Sequence, residues 1–228
     1  MRIWAAFASL LLLLTAGATA APAQALSPYE QEVLATINRA RADPPAYADT
    51  LRQYRKYYVG NIVRIPGQVD YETDEGVAAV DEAITFLMKQ PPLPPLKPFE
   101  VDRLFTETAI DHTTEQNATG ATGHFSADGA SPSDRVMKHG GGPYVGEVIA
   151  YGPTDPVDAV RQLIIDDGVP DRGHRTLLFK ADIRYAGVSC GPHPEFKTMC
   201  VIDMADTDDG WAPGHHPRVA STGSANTP

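Results

Sequence analysis

Apolar side chains recur at Val33, Leu34, Ile37 and Ala40, the spacing of one helical face. Ser27-Pro28 stands just before them, a capping serine followed by a proline suited to the first helical position, so a helix is expected to about Ala42. Asp43-Pro44 interrupts the pattern and restarts it, and Tyr47, Leu51, Tyr54 and Tyr58 continue an apolar stripe that reads as core. Val80, Ile84 and Leu87 predict a helix over 77–89. Val101, Leu104, Phe105, Ala109 and His112 predict another from Pro98 to about Asn117. A short helix over 131–138 has Ser131 as its cap, and Val157, Val160, Leu163 and Ile164 mark an amphipathic helix over 156–165.

Strand-like runs cover 145–151, 184–190 and 198–204. The last two are joined by the turn-rich Gly191-Pro192-His193-Pro194, which reads as a hairpin. Residues 60–76 mix proline, glycine and acids and read as a surface insertion; Pro91-Pro92-Leu93-Pro94-Pro95 suits neither helix nor central strand and reads as a stiff connector. No internal repeat is visible. Helices first, then strands among helices, then a hairpin imply a central sheet covered by helices on both sides.

The two ends of the chain look different from this body. Arg2 precedes an almost wholly apolar run from Ile3 to Leu14, and Ala18-Thr19-Ala20 supplies small residues for cleavage, with Ala23-Gln24-Ala25 as a second candidate. Residues 1–20 are therefore expected to be a secretory signal, cut at 20 or alternatively at 25. The run is shorter than the ~20 apolar residues that span a bilayer, and no other segment is apolar enough for stable membrane insertion. A single domain is expected over 27–206. The polar stretch 207–228, rich in Gly, Pro, Ser and Thr, is expected to be a disordered tail.

Composition sharpens this picture in two places. The net charge is −10, becoming −11 once Arg2 leaves with the signal, which argues against nucleic acid and against charge-driven binding to anionic membranes. Only two cysteines occur, Cys190 and Cys200, flanking the hairpin turn. In an exported chain an even count points to a disulfide. Two free thiols or a metal pair are the alternatives.

The residues able to do chemistry are concentrated between Gly123 and Arg175. Gly123-His124-Phe125-Ser126, Gly146-Glu147, Asp166-Asp167 and Gly173-His174-Arg175 bring histidines and carboxylates beside glycines. If they converge, they form either a divalent-metal site or a buried polar network. There is no His-Glu-x-x-His helix and no Gly-x-Ser-x-Gly elbow. His112 reads as a hydrogen-bonded core residue, His139 as a helix end facing solvent and His193 as a loop residue. Asp134 and Arg135 read as solvated or paired.

These segments, taken in order, resemble the CAP superfamily, the secreted cysteine-rich, venom-allergen and pathogenesis-related proteins with an SCP-like domain, and most closely its bacterial members. The matching pieces are Ile37-Asn38-Arg39-Ala40-Arg41-Ala42-Asp43-Pro44, Gly123-His124-Phe125-Ser126, Gly146-Glu147-Val148-Ile149-Ala150-Tyr151-Gly152, the run from Asp166 to Arg175, and Val201-Ile202-Asp203-Met204-Ala205. The resemblance implies an α+β fold, a three-layer α-β-α sandwich with a central, mostly antiparallel sheet. It also implies a cleft holding two histidines and two acids, which map to His124, His174, Glu147 and Asp166, with Asp167 the alternative to Asp166. Two departures stand out: Val148 where the family usually has Asn, and aspartate, one methylene shorter, where it usually has Glu.

Neutral imidazoles suit zinc or another divalent cation, and carboxylates can ligate it or orient a histidine. The resemblance implies a secreted or periplasmic binding module for a protein, lipid or small molecule. The alternative is a metal-dependent hydrolase using the same cleft, in which zinc would lower the pKa of a bound water.

Overall fold

A computed structural model describes residues 25–90 and 99–214. Its helices are α1 (Pro28–Ala42), α2 (Pro44–Arg55), α3 (Val77–Lys89), α4 (Arg103–Thr119), α5 (Pro132–Lys138), α6 (Pro156–Ile165) and α7 (Gly173–Leu178). Its strands are β1 (Tyr58–Val59), β2 (Ile62–Val63), β3 (Tyr71–Glu72), β4 (Glu100–Val101), β5 (Gly146–Tyr151), β6 (Tyr185–His193) and β7 (Lys197–Ala205). The signal-like segment, the proline-rich connector and the end of the chain lie outside the described residues.

Helix boundaries follow local chemistry. Ser27 and Glu30 form a reciprocal capping box at the start of α1, with Glu30 Oε2 accepting the Ser27 amide at 2.7 Å. Asp43 then ends α1 and caps α2, its carboxylate accepting the Ala46 amide at 3.0 Å. Ser131 with Asp134 repeats the box on α5, and Asp155 caps α6.

The main sheet runs β4-β6-β7-β5. β5 and β6 each pair antiparallel with β7, and only the short β4 runs parallel, alongside β6. Alternation along the strands sends Val148, Ala150, Val188, Ile202 and Met204 to a face packed against α1 and α6. Ile149, Met199 and Val201 face the other way, toward Ala109 of α4, and Ala205 packs with Phe105 of α4 and Val136 of α5. The result is the expected three-layer α-β-α arrangement. The approach of α4 is so close that a Cβ on Gly187 of β6 would stand 1.9 Å from the Thr106 nitrogen, so this position excludes every side chain.

The same alternation places Glu147 of β5 and its register partner Asp203 of β7 on the α4–α5 face. Two acids on the buried side of a sheet are costly to desolvate, and they mark where the chemistry lies. The disulfide is present: Cys190 faces Cys200 directly across β6 and β7, with Cα atoms 4.1 Å apart.

Four expectations need correcting. The helix expected from Pro98 begins at Arg103, because the backbone of Glu100 and Val101 pairs with β6 and Asp102 caps the helix through the Leu104 amide. The insertion 60–76 is not wholly irregular: it contributes β2 and β3, which pair with β1 in a separate antiparallel sheet. His193 is not a loop residue. It ends β6, is buried, and donates from Nε2 to the Ala121 carbonyl at 3.0 Å. The polar stretch from Thr207 includes a tethered segment, since the Gly142 amide donates to the Asp209 carbonyl and the Tyr144 amide to the Gly210 carbonyl.

Candidate functional site

His124 sits on the loop that leaves α4. Gly120 ends that helix in the left-handed conformation, and the next residues are held by buried side chains rather than by regular structure. The Gly123 carbonyl accepts from Gln116 Nε2 at 2.6 Å and lies 2.8 Å from His112 Nε2, which is itself 2.8 Å from Gln116 Nε2. The Gly123 amide donates to the Tyr151 hydroxyl at 2.8 Å, and that hydroxyl donates to Gln116 Oε1. His112 is thus the hydrogen-bonded core residue that its apolar neighbours suggested.

Beyond this clamp, the His124 ring meets Glu147: Nδ1 lies 2.8 Å from Oε1. The second carboxylate oxygen accepts from Arg135 Nη2 at 2.5 Å. Arg135 also donates through Nη1 to the His124 carbonyl at 3.0 Å and to Ser126 Oγ at 3.3 Å. The Glu147 side chain is 1% exposed and that of Arg135 4% exposed. A buried ion pair of this kind holds its geometry because removing either partner strands the other's charge. Sequence left Arg135 as solvated or paired. It is paired, buried, and part of the site, and nothing in its local pattern on a seven-residue helix distinguishes the two outcomes.

His174 is held differently. It lies in the first turn of α7, a helix the apolar pattern did not reveal, and its Nδ1 is 2.7 Å from Asp166 Oδ1. Asp166 ends α6 in the left-handed conformation, which short polar side chains tolerate better than most. Its other oxygen accepts the Arg175 amide at 3.0 Å. Arg175 is buried, donates to the Ile164 carbonyl at 3.1 Å and pairs with Glu82 at 2.6 Å. Asp167 points its chemistry elsewhere, accepting the Asp74 and Glu75 amides at 2.8 and 2.9 Å. Of the two aspartates, Asp166 is the one beside a histidine.

The two imidazoles lie with ring centroids 6.4 Å apart and planes tilted by 52°. Each Nδ1 is engaged by a carboxylate, and among the described residues no hydrogen bond reaches either Nε2. A carboxylate accepting from Nδ1–H leaves the Nε2 lone pair available, which is how metal-ligating histidines are usually oriented. Zinc binds imidazole nitrogen at ~2.0–2.1 Å, so two rings sharing one tetrahedral ion have centroids about 5 Å apart. The observed 6.4 Å is longer, so the rings would have to close by about 1 Å to share one zinc. Among the described residues, however, no three His, Cys, Asp or Glu side chains converge as a metal-holding group. Glu147 and Asp166 spend their oxygens on histidine, arginine and backbone. Nε2 of His124 and of His174 are the ring nitrogens left without a hydrogen bond, with the acids behind them.

A further acid lies beneath. Asp203 is fully buried beside Glu147, and burial together with the neighbouring carboxylate pushes its pKa well above the usual aspartate range. Its Oδ2 is 2.5 Å from Thr108 Oγ1, which is itself 3.1 Å from the Phe105 carbonyl. The Thr108 hydroxyl donates toward Asp203 and the Phe105 carbonyl, and Arg135 answers the Glu147 carboxylate beside them. Sequence reasoning did not mark Asp203; the period-2 register with Glu147 is the signal that could have found it.

The fold and site together define an α-β-α sandwich whose loop and helix ends present two carboxylate-backed imidazoles. No protein-family model matches this chain, and no curated protein matches it. Two solved structures are similar over part of it. An extracellular protein containing an SCP domain from Bacillus anthracis str. Ames is 19% identical, with a TM-score of 0.42, over 55% of this chain and 39% of its own. An outer surface protein from Borrelia burgdorferi is 16% identical, with a TM-score of 0.39, over 47% of this chain and 76% of its own. This chain thus spans well under half the length of the first of them.

Proposed function

We propose that this protein is an exported binding module of the CAP type whose cleft takes up a divalent cation, zinc by preference, through Nε2 of His124 and His174. The observation that carries the reading is the pairing of both Nδ1 atoms with buried carboxylates, Glu147 and Asp166. Those carboxylates fix the rings and their tautomers and raise the basicity of the facing nitrogens. Two protein ligands leave further coordination positions to solvent or to a partner's side chain. This suits an ion that bridges to a bound protein or small molecule better than a closed structural site. No helix among the described residues is long and apolar enough to cross a membrane. Export rests on the N-terminal signal pattern.

The hydrolase reading would require the cation to hold an activated water beside the two imidazoles.

Calorimetric titration of zinc into metal-stripped protein tests the proposal, in a background where His215 and His216 are replaced by alanine. Micromolar or tighter binding at neutral pH is expected, abolished by His124→Ala together with His174→Ala. Absence of binding by the folded, disulfide-intact protein would reduce the cluster to a structural network. If zinc binds, hydrolysis of peptide and cell-wall substrates by the loaded protein separates module from hydrolase.

A further inference from the structure

The segment between α2 and α3 encloses a second site, away from the histidines. Its short strands fold back over the ends of α2 and α6 and leave a cleft of about 280 Å³. Tyr54, Tyr58 and Tyr71 line it together with Arg161, Glu72 and Asp74. The Tyr54 and Tyr58 rings meet edge to face at 5.6 Å, and the Tyr54 hydroxyl is hydrogen-bonded to that of Tyr71. The chain already shows what such a wall attracts: the Arg161 guanidinium rests 4.0 Å from the centre of the Tyr54 ring.

Charge decides what else fits. Arg161 is paired with Asp158 at 2.5 Å, so its charge is answered within the fold. Glu72 and Asp74 stand at the exposed rim, and among the described residues neither carboxylate has a hydrogen bond or ion pair. The Asp74 position is set from behind by Asp167, which accepts its amide. Tyrosine rings attract cations through their negative faces, and unpaired carboxylates add to that attraction. The net charge of −10 draws cations to the surface at longer range. A bare metal ion would need converging oxygen ligands, and among the described residues no three acidic or histidine side chains form such a group. An anion would be repelled by the rim.

We propose that this cleft binds a small organic cation of the alkylammonium class, with its alkyl groups against Tyr58 and Tyr71 and its charge toward Glu72 and Asp74. The site uses none of His124, His174, Glu147 or Asp166 and needs no metal.

The test uses choline and its neutral isostere, in which a carbon replaces the quaternary nitrogen, each titrated into the folded protein and followed through tyrosine ring resonances. Choline is expected to shift the Tyr58 and Tyr71 signals with millimolar affinity. The isostere should bind about tenfold more weakly, as loss of the cation–π and charge interactions implies. Asp74→Asn, a surface change, should weaken choline and leave the isostere unaffected, whereas Tyr58→Leu should weaken both. Equal affinity for the two compounds, or no shift of those resonances by choline, would overturn the proposal.

Discussion

The two histidines of the cleft have the same immediate partner type and opposite ways of being held. His174 belongs to a local unit: Asp166, His174 and Arg175 lie within ten residues, and a single left-handed aspartate joins helix end to helix start. His124 belongs to a dispersed unit. Its ring partner comes from β5, the partner's counter-charge from α5, and its loop is clamped by α4, Tyr151 and His193. Backbone geometry dominates in the first, and buried charge in the second. The dispersed unit should therefore fail expensively and the local one cheaply.

The largest contrast is expected from Arg135→Met. It leaves Glu147 buried without its cation, and unfolding in urea should show a loss of about 3–5 kcal/mol. Adding Glu147→Gln should recover a substantial part, because the stranded charge is then gone. If Arg135→Met proves harmless, the His124 unit is not held by its ion pair.

Asp166→Asn should cost less, about 1.5–3 kcal/mol, because it weakens bonds to one imidazole and one amide while keeping the shape. The sharper readout is His174 itself. Ring nitrogen shifts should show a mixed tautomer in this variant, with His124 unchanged.

Asp203 gives the pH test. Its pKa is raised in the fold, so the unfolded chain releases this proton first as pH rises. Its contribution to stability is complete below the ordinary aspartate value, near 3.9, and declines as pH climbs from there toward the folded value. Asp203→Asn should therefore be more stable than the parent at neutral pH, with the advantage vanishing near pH 3. Thermal unfolding across pH measures this directly. A constant difference at all pH values would mean that Asp203 is ionised in the fold.

The smallest effect is expected at the rim of the His174 unit. Arg172 lowers the pKa of Glu75 to about 2 through hydrogen bonds at 2.6 Å. That pairing stabilises the fold above the ordinary glutamate range and is lost as pH falls through about 2. Glu75→Gln should flatten the acid limb of the stability profile slightly, without altering either histidine's ring shifts.

Legibility in the sequence follows the same divide. The second acid of the cleft was narrowed to Asp166 or Asp167 by the family resemblance. Choosing between them took the helix-end geometry, which turns Asp166 to the imidazole and Asp167 to the Asp74 and Glu75 amides. Glu147 was marked by its glycine-flanked motif, but Arg135 was not separable from any solvated helix arginine. Asp203 sat inside an apolar strand and looked like its neighbours. The short pieces β4 and α7 escaped notice because two paired residues or one and a half helical turns carry too little periodicity to read.

Most helix spans, their serine and aspartate caps, the three long strands and the candidate cysteine pair were legible in the sequence itself. Each depends on residues a few positions apart, or on the simple proximity of two strands in a hairpin. Which carboxylate meets which imidazole, which arginine answers the buried charge, and where the tyrosines enclose a cleft were decided only by the tertiary structure. Those relations depend on how α4 and α5 settle on the sheet and how residues 58–76 fold over α2 and α6. Burial, which turns an ordinary ion pair or carboxyl into a consequential one, exists only after that packing is complete.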